Sequence, residues 1–165
     1  MTDVRLRLAP WIPAIRSAAI AAGIPPATLG AVVYTESRGN AFALRVERGF
    51  WSRYRSGIWR AIRGNKYAAD DRWLDFPDLV AASYGLCQVM LPVAVEHGLK
   101  LAYPTELLHP ETNLALGARI LREHLDRSGG NEREALLRYN GGGDIHYPTR
   151  VLAAKQQIDQ PEVWA

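Results

Sequence analysis

Cysteine is almost missing from this sequence. Cys87 stands alone, so no intramolecular disulfide can form and no cysteine-based metal site can be assembled. Histidine is sparse as well. His97, His109, His124 and His146 are scattered, without an H-x-x-x-H pair or a neighbouring carboxylate cluster, so neither a metal nor a cofactor is expected. No apolar run approaches the ~18 residues of a membrane span, and membrane insertion is not expected. The basic-then-apolar amino terminus is interrupted by Pro10, Pro13 and Arg16 before a signal-peptide core could form. The expectation is a soluble chain that relies on other means to act outside a cell. A dominant charge is also lacking: 20 Lys and Arg against 17 Asp and Glu leave a net charge of +3, too little to argue for a nucleic-acid partner. Period-2 alternation is scarce, which leaves room for little or no sheet.

What is present is helical patterning over a length that suits one domain, residues 1–165. Residues 10–22 place Trp11, Ile15, Ala18, Ala19 and Ala22 on one side of a helix stopped by Gly23. A second helix is expected to start at Pro26 and to end at Gly39-Asn40. Residues 109–130 carry a stripe of Leu114, Ala118, Leu121 and Leu125, closed by Gly129-Gly130. The stretch 131–158 reads as a helix broken by Gly141, Gly142 and Gly143 and resumed around Pro148. Between Val80 and Lys100 the pattern predicts helix after Gly85, restarted at Pro92. Residues 46–82 form an insert. Trp51, Tyr54, Arg55, Ile58 and Ile62 predict a helix there, and the span mixes arginines with Phe50, Trp59, Tyr67 and Trp73. It reads either as a surface helix with solvated arginines or as one wall of a polymer-binding groove, where aromatic faces stack on sugars.

One residue breaks the pattern. Leu29, Val32, Val33 and Glu36 fall at i, i+3, i+4 and i+7, so a carboxylate shares the face that should bury two valines. A buried glutamate needs a partner or a task. Two later stretches supply company for it. In Ser83-Tyr84-Gly85-Leu86-Cys87-Gln88-Val89-Met90, Gln88 can both donate and accept hydrogen bonds. In Arg138-Tyr139-Asn140-Gly141-Gly142-Gly143, a tyrosine and an asparagine precede glycines that let backbone approach another group closely.

These stretches together resemble the catalytic domain of the soluble lytic transglycosylase family, related in fold to goose-type lysozyme. The resemblance is carried by Glu36-Ser37 with Asn40-Ala41, by Gly85-Leu86-Cys87-Gln88, by Pro110-Glu111-Thr112-Asn113 with Gly117, and by Tyr139-Asn140-Gly141-Gly142, in that order over residues 10–155. It implies a mainly α, lysozyme-like single domain with little or no sheet and a helix-loop insert at 46–82. It further implies cleavage of the β-1,4 bond between N-acetylmuramic acid and N-acetylglucosamine in peptidoglycan, leaving a 1,6-anhydromuramyl end. Glu36 would be the acid/base, and Tyr139 the tyrosine beside it. Gln88 and Met90 would line the sugar sites, while Asn113 and Gly117 would be structural; Asn140, Tyr147, Ser37 and Arg45 are further candidate substrate contacts. Burial beside valines would favour the protonated acid.

The expected partner is the glycan strand alone, met by a monomer at the bacterial cell wall after phage- or secretion-system-type delivery, or as part of a virion. The sequence departs from the family at three points: Ala41 for a proline, Cys87 for a methionine, and Arg45 for a serine. An arginine there could hold a substrate carboxylate. Two other readings stay open. One is a hydrolytic muramidase using Asp70, Asp71, Asp75 or Asp78 as second carboxylate. The other is a non-catalytic wall-binding or structural module.

Overall fold

A computed structural model describes residues 3–47, 49, 52–53, 76–100 and 103–165. The helix expected within 51–62, with most of the 46–82 insert, lies outside the described residues. The described chain is mainly helical with one small three-stranded sheet, in line with the fold class expected. It divides into two compact units, Met1–Gly39 with Leu114–Ala165, and Asn40–Asn113.

The first unit is built around a helix that is apolar on all sides. Helix α1 (Asp3–Leu8), a 3₁₀ turn (Ala9–Trp11) and α2 (Ile12–Ala22) precede α3 (Pro26–Ser37). Pro26 opens α3 at a position where the missing N–H costs nothing. From Ala27 to Val33 every α3 residue is buried, which is what a helix hydrophobic all round requires. Each fully buried Leu or Val there contributes about 1.5–3 kcal/mol relative to exposure. The later elements are α6 (Pro110–Arg127), which belongs to this unit from Leu114 onward, α7 (Glu132–Tyr139), α8 (Tyr147–Gln156) and α9 (Pro161–Trp164).

Helix α8 packs chiefly on α3 and buries Tyr147, Val151 and Ala154. On another part of α3, the indole of Trp164 sits so close to Gly30 that an added Cβ would lie 2.7 Å from the ring. A part-buried polar tie joins three helices: Thr28 donates to Glu132 Oε1 at 2.6 Å, and Lys155 Nζ pairs with the same oxygen at 2.8 Å. The helices expected at 10–22, from Pro26 and over 109–130 are present, with Ala9–Trp11 in 3₁₀ form before α2, and α7 and α8 are separated by the glycine run as expected; α1 and α9 had no counterpart in the sequence pattern.

The second unit holds the sheet. Strands β1 (Leu44–Val46), β2 (Ala82–Tyr84) and β3 (Val89–Met90) pair antiparallel in the order β1-β2-β3, with Arg45 opposite Ser83 and Tyr84 opposite Val89. Helices α4 (Pro77–Val80) and α5 (Leu91–Glu96) and a 3₁₀ turn (Pro104–Leu108) accompany it. The helix expected directly after Gly85 is absent. In its place Gly85 to Gln88 form a turn leading into β3, and helix begins at Leu91. Gly85 and Gln88 have φ of 70° and 48°, left-handed values that a right-handed helix cannot contain. The turn is instead held from inside by Asn113. This fully buried side chain accepts from Cys87 N–H at 2.7 Å and donates to the carbonyls of Tyr84 and Leu107 at 2.8 Å each.

Candidate functional site

In the first unit the site forms where α3 ends. The last turn of α3 carries Glu36, and the chain then leaves the helix through Arg38 in the left-handed region (φ 56°), whose N–H closes on Tyr34 O at 3.0 Å. Gly39 follows at φ 76°, against the α1 backbone: a Cβ there would stand 2.5 Å from Arg7 O. Only glycine combines that dihedral with that approach. Trp11 Nε1 donates to Gly39 O at 2.7 Å, so the exit from α3 is braced by the 3₁₀ turn before α2. The guanidinium of Arg38 lies 4.2 Å from the centroid of the Tyr34 ring, and Tyr34 OH donates to Asp3 Oδ2 at 2.6 Å. These ties fix the turn that presents Glu36.

Glu36 itself is half-buried, beyond the fully buried Val32 and Val33. Its Oε1 accepts a hydrogen bond from the Tyr147 hydroxyl at 2.7 Å. Tyr147 is only 2% exposed and opens α8, so the bond joins the end of one buried helix to the start of the helix packed on it. The structure therefore brings two of the expected site residues together, and the phenol on Glu36 is one that the sequence placed among substrate contacts. The resemblance placed Tyr139 beside the acid. Tyr139 lies at the end of α7, half-buried, with its ring edge-on to His124 at a centroid distance of 6.5 Å and an interplanar angle of 81°. Ser37 Oγ donates to Val33 O at 3.0 Å, back into its own helix. Asn140 caps α7 and accepts from Asp144 N at 3.1 Å through Oδ1, ordering the glycine loop.

Two residues here were not picked out in the sequence. Asp144 Oδ2 accepts from Arg150 Nη2 at 2.7 Å, and Arg150 Cζ lies 5.8 Å from the Tyr147 ring centroid. The Arg150 hydrogen bond, aided by the His146 N–H, holds the Asp144 carboxyl below the usual carboxylate range, and the same bond raises Arg150. A signal existed for Arg150 alone. Tyr147 and Arg150 are three apart on one helix, hence on one face.

In the second unit, Gln88 and Met90 lie on the Gly85 turn and on β3. Gln88 Nε2 donates to Gly85 O at 2.9 Å and to Ala43 O at 3.2 Å, so its amide braces the strained turn it occupies. Gly85 cannot be replaced there, because a Cβ would stand 2.7 Å from Asn113 Nδ2 and 2.8 Å from Leu107 O. Arg45 sits on β1, more than half exposed, paired with Glu47 at 2.5 Å. Such an exposed pair contributes little to stability. Of the aspartates considered as second carboxylates, Asp78 is exposed on α4, and Asp70, Asp71 and Asp75 lie outside the described residues. Among the described residues no helix is long and apolar enough to cross a membrane, and no three His, Cys, Asp or Glu side chains are grouped as a metal would need.

Chemically, the first unit offers a carboxyl with one oxygen pinned by a buried phenol. Such a group can give and take a proton from a fixed position. A family model for the transglycosylase SLT domain matches residues 13–159. No curated protein and no solved structure matches the chain.

Proposed function

This chain belongs to the transglycosylase SLT family, a peptidoglycan-acting group of lytic-transglycosylase type, and from that premise we propose that Glu36 alone performs its acid/base chemistry. In this reading the protein cleaves the β-1,4 bond between N-acetylmuramic acid and N-acetylglucosamine. Protonated Glu36 gives its proton to the glycosidic oxygen as an oxocarbenium-like centre develops. The carboxylate then takes the proton of the muramyl C6 hydroxyl, which attacks the anomeric carbon within the same sugar. The products are a free N-acetylglucosamine 4-hydroxyl and a 1,6-anhydromuramyl end, and no water is consumed. The substrate's own N-acetyl group supplies the stabilisation that other glycosidases take from a second carboxylate.

The observation that carries this reading is the Tyr147 bond to Glu36 Oε1. A phenol O–H can donate both to the carbonyl oxygen of a carboxylic acid and to a carboxylate. It can thus keep the group in place through both halves of the reaction. Gln88, Met90, Asn140 and Arg45 are proposed to contact the glycan, and the acting unit is proposed to be a monomer at the bacterial wall. Mass spectrometry of digests of purified peptidoglycan tests the proposal. Wild-type protein should release anhydro-ended muropeptides and Glu36→Gln none. Undiminished release by Glu36→Gln would remove the glutamate from the mechanism.

A further inference from the structure

The loop between α7 and α8 contains a carboxylate for which the mechanism above has no use. Three acceptor oxygens of Asp144 close around the start of α8. Its main-chain carbonyl accepts from Tyr147 N at 3.0 Å, Oδ1 accepts from His146 N at 2.9 Å, and Oδ2 accepts from Arg150 Nη2 at 2.7 Å. Its own N–H is held by Asn140 Oδ1. Arg150 is tied at its main chain as well, its N–H donating to His146 O at 3.2 Å. Its guanidinium faces the Tyr147 ring at 5.8 Å, a distance at which a cation and a ring face attract.

We infer that Asp144 is a positioning residue that, through Arg150, holds the Tyr147 phenol on Glu36. The inference rests on Glu36 being the acid/base. Tyrosine has two side-chain torsions, and both are constrained here. The backbone at Tyr147 is set by the Asp144 carbonyl, and the ring is set by its near-complete burial, with the clamped guanidinium over its face. Without the clamp, Arg150 is a long exposed side chain with many rotamers, and the ring loses a fixed neighbour. The Asp144 carboxyl is lowered and Arg150 raised by the same hydrogen bond, as a charged pair requires.

The competing role for a carboxylate this close in sequence to Tyr147 is to hold a water for hydrolysis. Both of its oxygens already accept hydrogen bonds from protein donors, which favours positioning.

Kinetics and products separate the two roles. Asp144→Asn keeps an oxygen for the His146 N–H but loses the ion pair, and Arg150→Met removes the cation while keeping its aliphatic bulk. On peptidoglycan each should lower kcat by about tenfold to a hundredfold, the scale of a small misplacement of a catalytic group, with KM nearly unchanged. The double variant should be no slower than the worse single one, Arg150→Lys should recover part of the loss, and products should remain anhydro-ended. Unchanged kcat in Asp144→Asn, additive losses in the double variant, or a product switch in Asp144→Asn would each overturn the inference. A second readout needs no activity. In protein with ¹³C-labelled tyrosine rings, Asp144→Asn and Arg150→Met should both shift the Tyr147 resonance and leave that of Tyr84 in place. An unmoved Tyr147 resonance overturns the clamp even if the chain proves not to be an enzyme. A shifted resonance in an inactive chain would leave the clamp standing and refute the catalytic reading.

Discussion

Exchanging one nitrogen for an oxygen at Asn113 should loosen the second unit. Asn113→Asp preserves shape and the acceptor for Cys87 N–H, but it removes the amide that donates to the carbonyls of Tyr84 and Leu107, each 2.8 Å away. The side chain is fully buried, so water cannot replace the lost donors. Leaving a buried polar group unpaired costs about 1–3 kcal/mol. A protonated replacement restores at most one of the two bonds, so the loss should be about 2–5 kcal/mol. That is a large part of a total stability of roughly 5–15 kcal/mol. For a chain of this length the melting temperature should fall by about 4–20 °C, at roughly 2–4 °C per kcal/mol. Urea unfolding followed by circular dichroism would read the change as a lower midpoint with an unaltered slope. Asn113→Ala, which loses all three bonds and some volume, should be at least as damaging. An Asn113→Asp protein within 0.5 kcal/mol of the wild type would refute the claim that this amide knots the Gly85 turn.

Tyr147→Phe removes the hydroxyl that donates to Glu36 Oε1. A hydrogen bond to a charged group contributes about 1.5–3 kcal/mol, so kcat on peptidoglycan should drop roughly tenfold to a hundredfold with little loss of fold; equal rates would contradict the role of the phenol. Asp144 has a depressed carboxyl, so its contribution is present above the unfolded value and is lost as pH falls through the lower folded value. Carboxyl ¹³C titration should therefore place its midpoint below the ordinary 3.8, and a midpoint at or above it would contradict the Arg150 pairing. Burial pushes Tyr84 up to about 12, and its hydroxyl donates to Leu79 O at 2.5 Å. With the folded value raised, stability is intact below the ordinary 10.0 and declines as pH climbs toward 12. Ultraviolet titration should find the Tyr84 phenol ionising late, with alkaline unfolding, and its ionisation near pH 10, identified by the signal lost in Tyr84→Phe, would count against this burial.

The helical frame was legible because its signals are local. Pro26 at the head of α3, the Gly23 stop and the leucine stripe of α6 each act within a few residues. The strands β2 and β3 were not legible. They are two or three residues long, β2 is buried throughout, and neither is long enough to show alternation. The left-handed turn at Gln88 depends on Asn113, which is remote in the chain, and no local rule announces it. The site was half legible. Glu36 showed itself as a polar residue on an apolar face, and Tyr147 was expected only as a substrate contact. That Tyr147 donates to Glu36 depends on how α8 packs on α3, a tertiary fact. Arg150 shares a helix face with Tyr147, but Asp144 looked like an ordinary surface charge, and only its contacts with the start of α8 distinguish it.

The central claim is that one glutamate cleaves the glycan with no water entering the product. Digestion of purified peptidoglycan in H₂¹⁸O tests it most directly. The account predicts anhydro-ended muropeptides without ¹⁸O at the muramyl anomeric carbon. Reducing muramyl ends carrying one ¹⁸O at that carbon from the moment of cleavage would contradict it and identify a hydrolase.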